Sequence, residues 1–369
     1  MTFAREHALP AAVVLAATLA LGACGSDNNT DSNAAPSSSS TATPSCATGT
    51  LAGSGSTFQK NIELQWVKDF AASCSGATVD YKGTGSGAGI AQFGEGTIDF
   101  AGSDSLMKDD EQAKADARCG TGNKAVHLPV TAGAIVLTYN LKGVTSLQLS
   151  PATIAGLFQG TIKKWNDTAV ATDNPGVTLP DLAVQAVHRS DASGSTDILS
   201  KFLDKTSGGA WKLGTGKELS WPGGQSAKGS DGVTTAVKTG AAGGGITYTE
   251  LSFAKSNALP VAKVKNTSGA FVDATGESVA KALESATLDE TKGDVRVSID
   301  FATPEATAYP ISAVSYVIAC DRGNKNAALL KAFLTYATTS GQATADALGY
   351  APVPTTIASK LTTLVGALA

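Results

Sequence analysis

The stretch His188-Arg-Ser-Asp-Ala-Ser-Gly-Ser-Thr196 holds the residue types best suited to chemistry. An apolar run, Leu182 to Val187, precedes it, and an amphipathic run, Asp197 to Leu203, follows. That order reads as strand, polar loop, helix. Such a loop sets hydroxyls and a small-residue backbone at a helix N-terminus, where unpaired N–H groups and the helix dipole favour an anion. Arg189 adds a planar guanidinium whose paired donors match a tetrahedral oxyanion. Arginine is scarce: Arg5, Arg118, Arg189, Arg296 and Arg322 are the whole set. An ordinary helix cap uses the same residue types, so the rest of the chain must give the motif its meaning.

Three loops near the start repeat the pattern. The stretch Gly53-Ser-Gly-Ser-Thr57 follows a strand-like segment at 49–52 and leads into a helical pattern over 58–72. Gly83-Thr-Gly-Ser-Gly-Ala-Gly89 follows the strand 79–81 and precedes a short helix at 90–93. Gly102-Ser-Asp-Ser105 follows the strand 97–101 and precedes a polar helix at 108–118, after which 125–130 reads as a further strand. The alternation predicts an α/β sheet with parallel strands and right-handed crossovers, and ligands in such sheets gather at the carboxyl ends of the strands. None of the loops is a nucleotide signature: Gly83–Gly89 does not satisfy GxGxxG, and GxxxxGK[ST] occurs nowhere. Beyond Thr131-Ala-Gly133 the chain enters a second region of short strands and helices that contains 188–196. Tyr309–Ala319 reads as a long strand, followed by helices over 326–336 and 357–368.

The 369 residues allow two domains, and 42% hydrophobic against 16% charged residues supports a sizeable core. The net charge of −4 and the lack of a basic block argue against nucleic acid as a partner. Arg5 precedes an apolar run from Ala8 to Ala23 that is too short to span a membrane and reads as a secretory signal. It ends in Leu21-Gly-Ala-Cys24, similar to a bacterial lipobox, which implies cleavage after residue 23, a lipid on the Cys24 thiol and anchorage on the outer face of the membrane. Residues 24–45 are Ser, Thr, Asn, Asp, Ala and Pro-rich and read as a flexible tether. Four further cysteines in an exported chain suggest two disulfides, with three pairings open. The order of elements favours Cys46–Cys74 and Cys119–Cys320. No CxxC or His cluster points to a metal, and no cofactor is implied.

Several stretches together resemble the PstS family of extracytoplasmic phosphate-binding proteins, which deliver phosphate to an ABC importer. They are Ala52-Gly-Ser-Gly-Ser-Thr-Phe58, Tyr81-Lys-Gly-Thr-Gly-Ser-Gly-Ala-Gly89, Ile98-Asp-Phe-Ala-Gly-Ser-Asp104, Phe158-Gln-Gly-Thr-Ile-Lys-Lys-Trp-Asn166, His188 to Ser195, and Lys228-Gly-Ser-Asp-Gly232. The resemblance implies a two-lobe periplasmic-binding-protein-like fold of type II with a two-strand hinge, each lobe a mixed sheet flanked by helices. One lobe would comprise 46–131 with 312–369 and the other 132–311, the crossings lying near 131–134 and 309–312. Carried over by motif, the phosphate contacts are the Thr57 hydroxyl, the Phe58 N–H, Ser86 and Asp104 from one lobe. Arg189, Ser193, the Gly194 N–H and Ser195 come from the other. The family usually has Thr where Ser195 stands, which raises the question whether Thr196 takes over that hydroxyl. Asp191 would orient the guanidinium. Asp104 has a chemical rationale: near neutral pH phosphate carries a proton to give a carboxylate, whereas sulfate has none and would oppose two acceptors.

A hydrolase is the main rival. His188 abuts Arg189 and invites a reading as a base for Ser193 or Ser195, but no GxSxG elbow or metal cluster accompanies it. His127 and His188 read as strand residues, and the chain as a binding protein, not an enzyme.

Overall fold

The computed structural model describes residues 46–240 and 243–369. The signal segment 1–23, the lipobox cysteine Cys24 and the tether 24–45 lie outside them. Nine strands form the main sheet. In chain order they are β1 (Gly49–Gly55), β2 (Ala77–Gly83), β3 (Phe100–Ser103), β4 (Ala125–Asn140), β5 (Gln185–Arg189), β6 (Gln225–Ala227), β7 (Gly245–Glu250), β8 (Ser312–Cys320) and β9 (Tyr350–Ala351). The spatial order is β2-β1-β3-β8-β4-β7-β5-β6, with β9 also on β4. β1 pairs in parallel with β2 and β3, while the late strand β8 runs antiparallel between β3 and β4. The sheet is therefore mixed: β1, β2 and β3 are parallel, as are β5, β6 and β7, while β4 and β8 run antiparallel to their neighbours.

β4 is the strand shared by the two halves of the sheet. Its first part, Ala125–Ala134, pairs with β8; its second, Ile135–Asn140, pairs with β7. The change of partner falls between Ala134 and Ile135, where the Ile135 N–H donates to the Ile311 carbonyl just ahead of β8 at 2.9 Å. The strand read from sequence at 125–130 does not end before Thr131-Ala-Gly133 but continues unbroken to Asn140. Gly133 stays within the strand, paired on β8 and β9, and packs closely: a Cβ there would lie 3.0 Å from the Phe58 ring and 3.5 Å from that of Tyr350.

Helix α1 (Lys60–Ser73) buries Ile62, Trp66 and Phe70, four residues apart on one face. The C-terminal helices α6 (Ala327–Thr338) and α7 (Thr355–Ala367) pack together, and α6 also lies against α1 and β1. The end of the chain thus returns to cover the first sheet. Cys46 is bonded to Cys74, and Cys119 to Cys320. No helix among the described residues is long and apolar enough to cross a membrane.

Candidate functional site

The three early loops read from the sequence sit at the carboxyl ends of β1, β2 and β3, and all three are partly strand or helix, Gly53 to Gly55 belonging to β1. Ser86 to Gly89 form the first turn of helix α2 (Ser86–Gly94), and Gly102 and Ser103 still belong to β3, which is followed by helix α3 (Asp109–Cys119). Glycine makes this possible: a Cβ on Gly89 would lie 2.5 Å from the Gly55 Cα and 2.7 Å from the Ser54 carbonyl. The N-terminus of α2 can therefore drop onto the ends of β1 and β3, which brings Ser86 to Asp104.

Asp104 is buried, with 6% of its surface exposed. Its Oδ1 accepts from the Ser56 hydroxyl by a very short bond and from Ser315 Oγ at 2.6 Å. Its Oδ2 is left with a long contact to Ser86 Oγ, 3.4 Å. Burial pushes the carboxyl above its ordinary value; the Ser315 and Ser56 hydroxyls, the Arg189 charge and Ser86 pull it partly back. The Ser86 oxygen also accepts the backbone N–H groups of Asp104 at 3.2 Å and, from the other lobe, of Gly194 at 3.3 Å.

Gly194 opens helix α4 (Gly194–Thr206), capped by Ser193, whose Oγ accepts the Thr196 N–H at 3.2 Å. The helix forms because Ile198, Leu199, Phe202 and Leu203 bury one face. Its first turn meets the other lobe so tightly that a Cβ on Gly194 would lie 2.6 Å from the Asp104 Cβ and 2.7 Å from Ser86 Oγ. The Arg189 guanidinium, at the end of β5, is gripped by Asp191 through Nε at 2.7 Å and a terminal nitrogen at 2.5 Å. Burial raises the Asp191 carboxyl, but the Arg189 hydrogen bonds and charge, with the Gly229 N–H, outweigh it and leave the carboxyl below its ordinary value. The question about Thr196 has a geometric answer. Its hydroxyl is bonded to the Tyr248 hydroxyl at 2.7 Å, whereas Ser195 Oγ is buried and has no protein partner. The free hydroxyl is that of Ser195.

Thr57 is buried, and its hydroxyl lies 2.8 Å from Ser230 Oγ of the second lobe. Phe58 is fully buried, its carbonyl accepting from the Tyr350 hydroxyl at 2.6 Å. The eight residues expected at the site are thus all buried, and contacts between residues before 131 and residues after it join Thr57 to Ser230 and Ser86 to Gly194 along one seam. Further bonds hold that seam: Gly87 N–H to the Ala192 carbonyl at 2.9 Å, Ser105 Oγ to Asp197 at 2.8 Å, and Lys217 Nζ to Glu111 at 2.6 Å.

Sequence reading missed Ser56, Ser230 and Ser315. Ser315 carries a visible signal, a hydroxyl inside the apolar run Ala313 to Ala319, and the pairing of β8 on β4 slips between Ser315 and Tyr316. Among the described residues, His127 and His188 are both held in packing and hydrogen-bond contacts. His127 Nδ1 lies 2.7 Å from Asp294 Oδ2 and its Nε2 accepts the Met107 N–H at 3.1 Å, while burial lowers its pKa. His188 stacks on Trp221, 4.8 Å between ring centroids. Among the described residues no group of His, Cys, Asp and Glu is arranged to hold a metal.

Comparison with known proteins agrees with this architecture. The PBP superfamily domain matches residues 40–340. The phosphate-binding protein PstS 3 of Mycobacterium leprae is 39% identical over 97% of this chain and 98% of its own length. Its namesake from Mycobacterium tuberculosis strain H37Rv is 38% identical over 97% of both chains. The crystal structure of the phosphate-binding protein from Stenotrophomonas maltophilia shares the fold, with a TM-score of 0.64 at 20% identity over 85% of this chain and 93% of that one. The chain belongs to the PstS family of the PBP superfamily.

Proposed function

We propose that this protein captures inorganic phosphate between its two lobes outside the cytoplasm and presents it to the membrane-embedded permease subunits of an ABC importer. The observation that carries the reading is that Asp104 and Arg189 are both buried, close enough for the Arg189 charge to act on the Asp104 carboxyl, among hydroxyl and N–H donors. A tetrahedral oxyanion matches the donors, and one with its own proton also matches Asp104 Oδ2, the carboxylate oxygen left without a strong partner. The names of the mycobacterial relatives support the same ligand.

In this reading the contacts are Thr57, the Phe58 N–H, Ser86 and Asp104 on one side, and Arg189, Ser193, the Gly194 N–H and Ser195 on the other. Lobe I is 46–131 with 312–369 and lobe II is 132–311, closing about the crossings near 134 and 311. A ligand divided between lobes engages fully only when they close, and closure is what the permease would recognise. Lipid on Cys24 anchors the protein on the extracytoplasmic face, and the tether lets the body stand off the membrane. Titration of delipidated protein with phosphate and with sulfate at two pH values tests the reading. Phosphate binding with compaction in small-angle scattering is expected; equal affinity for both anions would overturn it.

A further inference from the structure

The segment Lys228-Gly-Ser-Asp-Gly232 has no part in the contacts above, yet the fold brings it to the seam. Ser230, fully buried, lies in the first turn of helix α5 (Gly229–Thr239). Two of its groups converge on one atom of the other lobe: its N–H donates to Thr57 Oγ1 at 3.2 Å, and its Oγ lies 2.8 Å from the same oxygen. The neighbouring Gly229 N–H donates to Asp191 Oδ1 at 2.9 Å, so the same turn braces the carboxylate that grips Arg189.

We infer that Ser230 is a positioning residue for anion capture, fixing the direction of the Thr57 hydroxyl; this rests on the phosphate reading above. A threonine hydroxyl has one hydrogen and two lone pairs. The Ser230 N–H occupies one lone pair. The hydroxyl pair then has two arrangements: Thr57 donates to Ser230, or Ser230 donates to Thr57. In the second, Ser230 fills both lone pairs of Thr57 Oγ1, and the Thr57 hydrogen is committed to whatever else lies at the seam. A bound anion has oxygens that only accept towards Thr57, which selects that arrangement. Ser230 thus converts a hydroxyl that could face an anion with either polarity into a fixed donor. Because Thr57 and Ser230 belong to different lobes, the arrangement exists only when the cleft is shut, so its loss acts on release more than on capture. The Lys60–Asp231 pair at 2.8 Å spans the same edge, but both side chains reach solvent and contribute little.

A double-mutant cycle on the full chain tests this, with phosphate affinity from calorimetry and release from stopped flow. Ser230→Ala keeps the N–H and loses the hydroxyl. It is expected to weaken phosphate binding about 3- to 10-fold, the range of one neutral hydrogen bond, mostly through faster release. In a Thr57→Val background, the same substitution is expected to change affinity less than about twofold, because the hydroxyl it orients is gone. Thermal midpoints of the phosphate-free variants separate a general loss of packing, which would weaken binding equally in both backgrounds. Equal losses in the two backgrounds, or no loss in Ser230→Ala, would overturn the inference while wild-type binding stands. Absence of phosphate binding by the wild type would overturn the phosphate reading and this inference with it.

Discussion

Replacing Asp104 with asparagine separates recognition of charge from recognition of a proton. Asn is close to isosteric, and the structure dictates how it must sit. Ser56 and Ser315 both approach the position of Oδ1 as donors, so the amide oxygen takes that place. The amide nitrogen then takes the place of Oδ2, towards Ser86 and the Gly194 turn. An acceptor has become a donor at the point where the ligand's proton is expected. Phosphate loses a charge-assisted bond, roughly 1.5–3 kcal/mol. Sulfate loses the opposition of two acceptors in a buried site and gains a donor, a change of similar size. The two effects act in opposite directions on the two ligands, so the ratio of phosphate to sulfate affinity is expected to fall by about 3–6 kcal/mol, on the order of 10²- to 10⁴-fold. Calorimetric titration of wild type and Asp104→Asn with both anions at neutral pH measures that ratio directly. A ratio changed by less than about tenfold would refute the proton-reading role, whatever happened to phosphate affinity alone.

Gly194→Ala would place a Cβ 2.6 Å from that of Asp104, holding the lobes apart; phosphate binding should weaken about 10- to 100-fold in calorimetry while the thermal midpoint without phosphate stays near that of the wild type. Glu63 is fully buried with both carboxylate oxygens unpartnered, and burial pushes its pKa to about 8. A carboxyl raised in the folded state gives its full contribution to stability below about pH 4.5, the ordinary value, and loses it as pH rises towards 8, so stability falls across that window. Glu63→Gln should remove roughly 2–5 kcal/mol of that dependence, and an equal drop in unfolding free energy from pH 5 to pH 9 for the two proteins, measured by urea denaturation, would contradict it. The Cys119–Cys320 disulfide closes a loop of 201 residues against 28 for Cys46–Cys74. On loop-closure entropy the two stabilise by ~5 and ~3.6 kcal/mol, so Cys119→Ser with Cys320→Ser should lower the thermal midpoint more than Cys46→Ser with Cys74→Ser.

The parts of the site legible in the sequence are those that announce themselves locally. Ser193 follows a strand and caps an amphipathic helix, and Asp191 stands two residues from Arg189; spacing alone is enough to bring each pair together. Asp104 is legible for a different reason, because a carboxylate in a loop that resembles an anion-binding motif contradicts simple charge matching and demands a protonated ligand. What escaped was non-local. Ser56 sits one residue before Thr57, and nothing in the order of residues says which of the two turns towards Asp104 and which towards Ser230. That is decided by the close approach of Gly55 to the Gly102 carbonyl, 2.1 Å from where a Cβ would stand. Ser315 lies 211 residues from the carboxylate it holds, and becomes a neighbour only because β8 returns through the hinge to slot between β3 and β4. The continuity of β4 was hidden in the same way. Thr131-Ala-Gly133 reads as a break by local propensity, but flanking strands and the Phe58 and Tyr350 rings fix it as extended chain. The consequence reaches function. A single unbroken strand changes partner between Ala134 and Ile135, so one strand is shared by the two halves of the sheet. In the closure proposed above, such a shared strand would let each half keep its own donors fixed at the strand ends, to meet those of the other half when the cleft shuts.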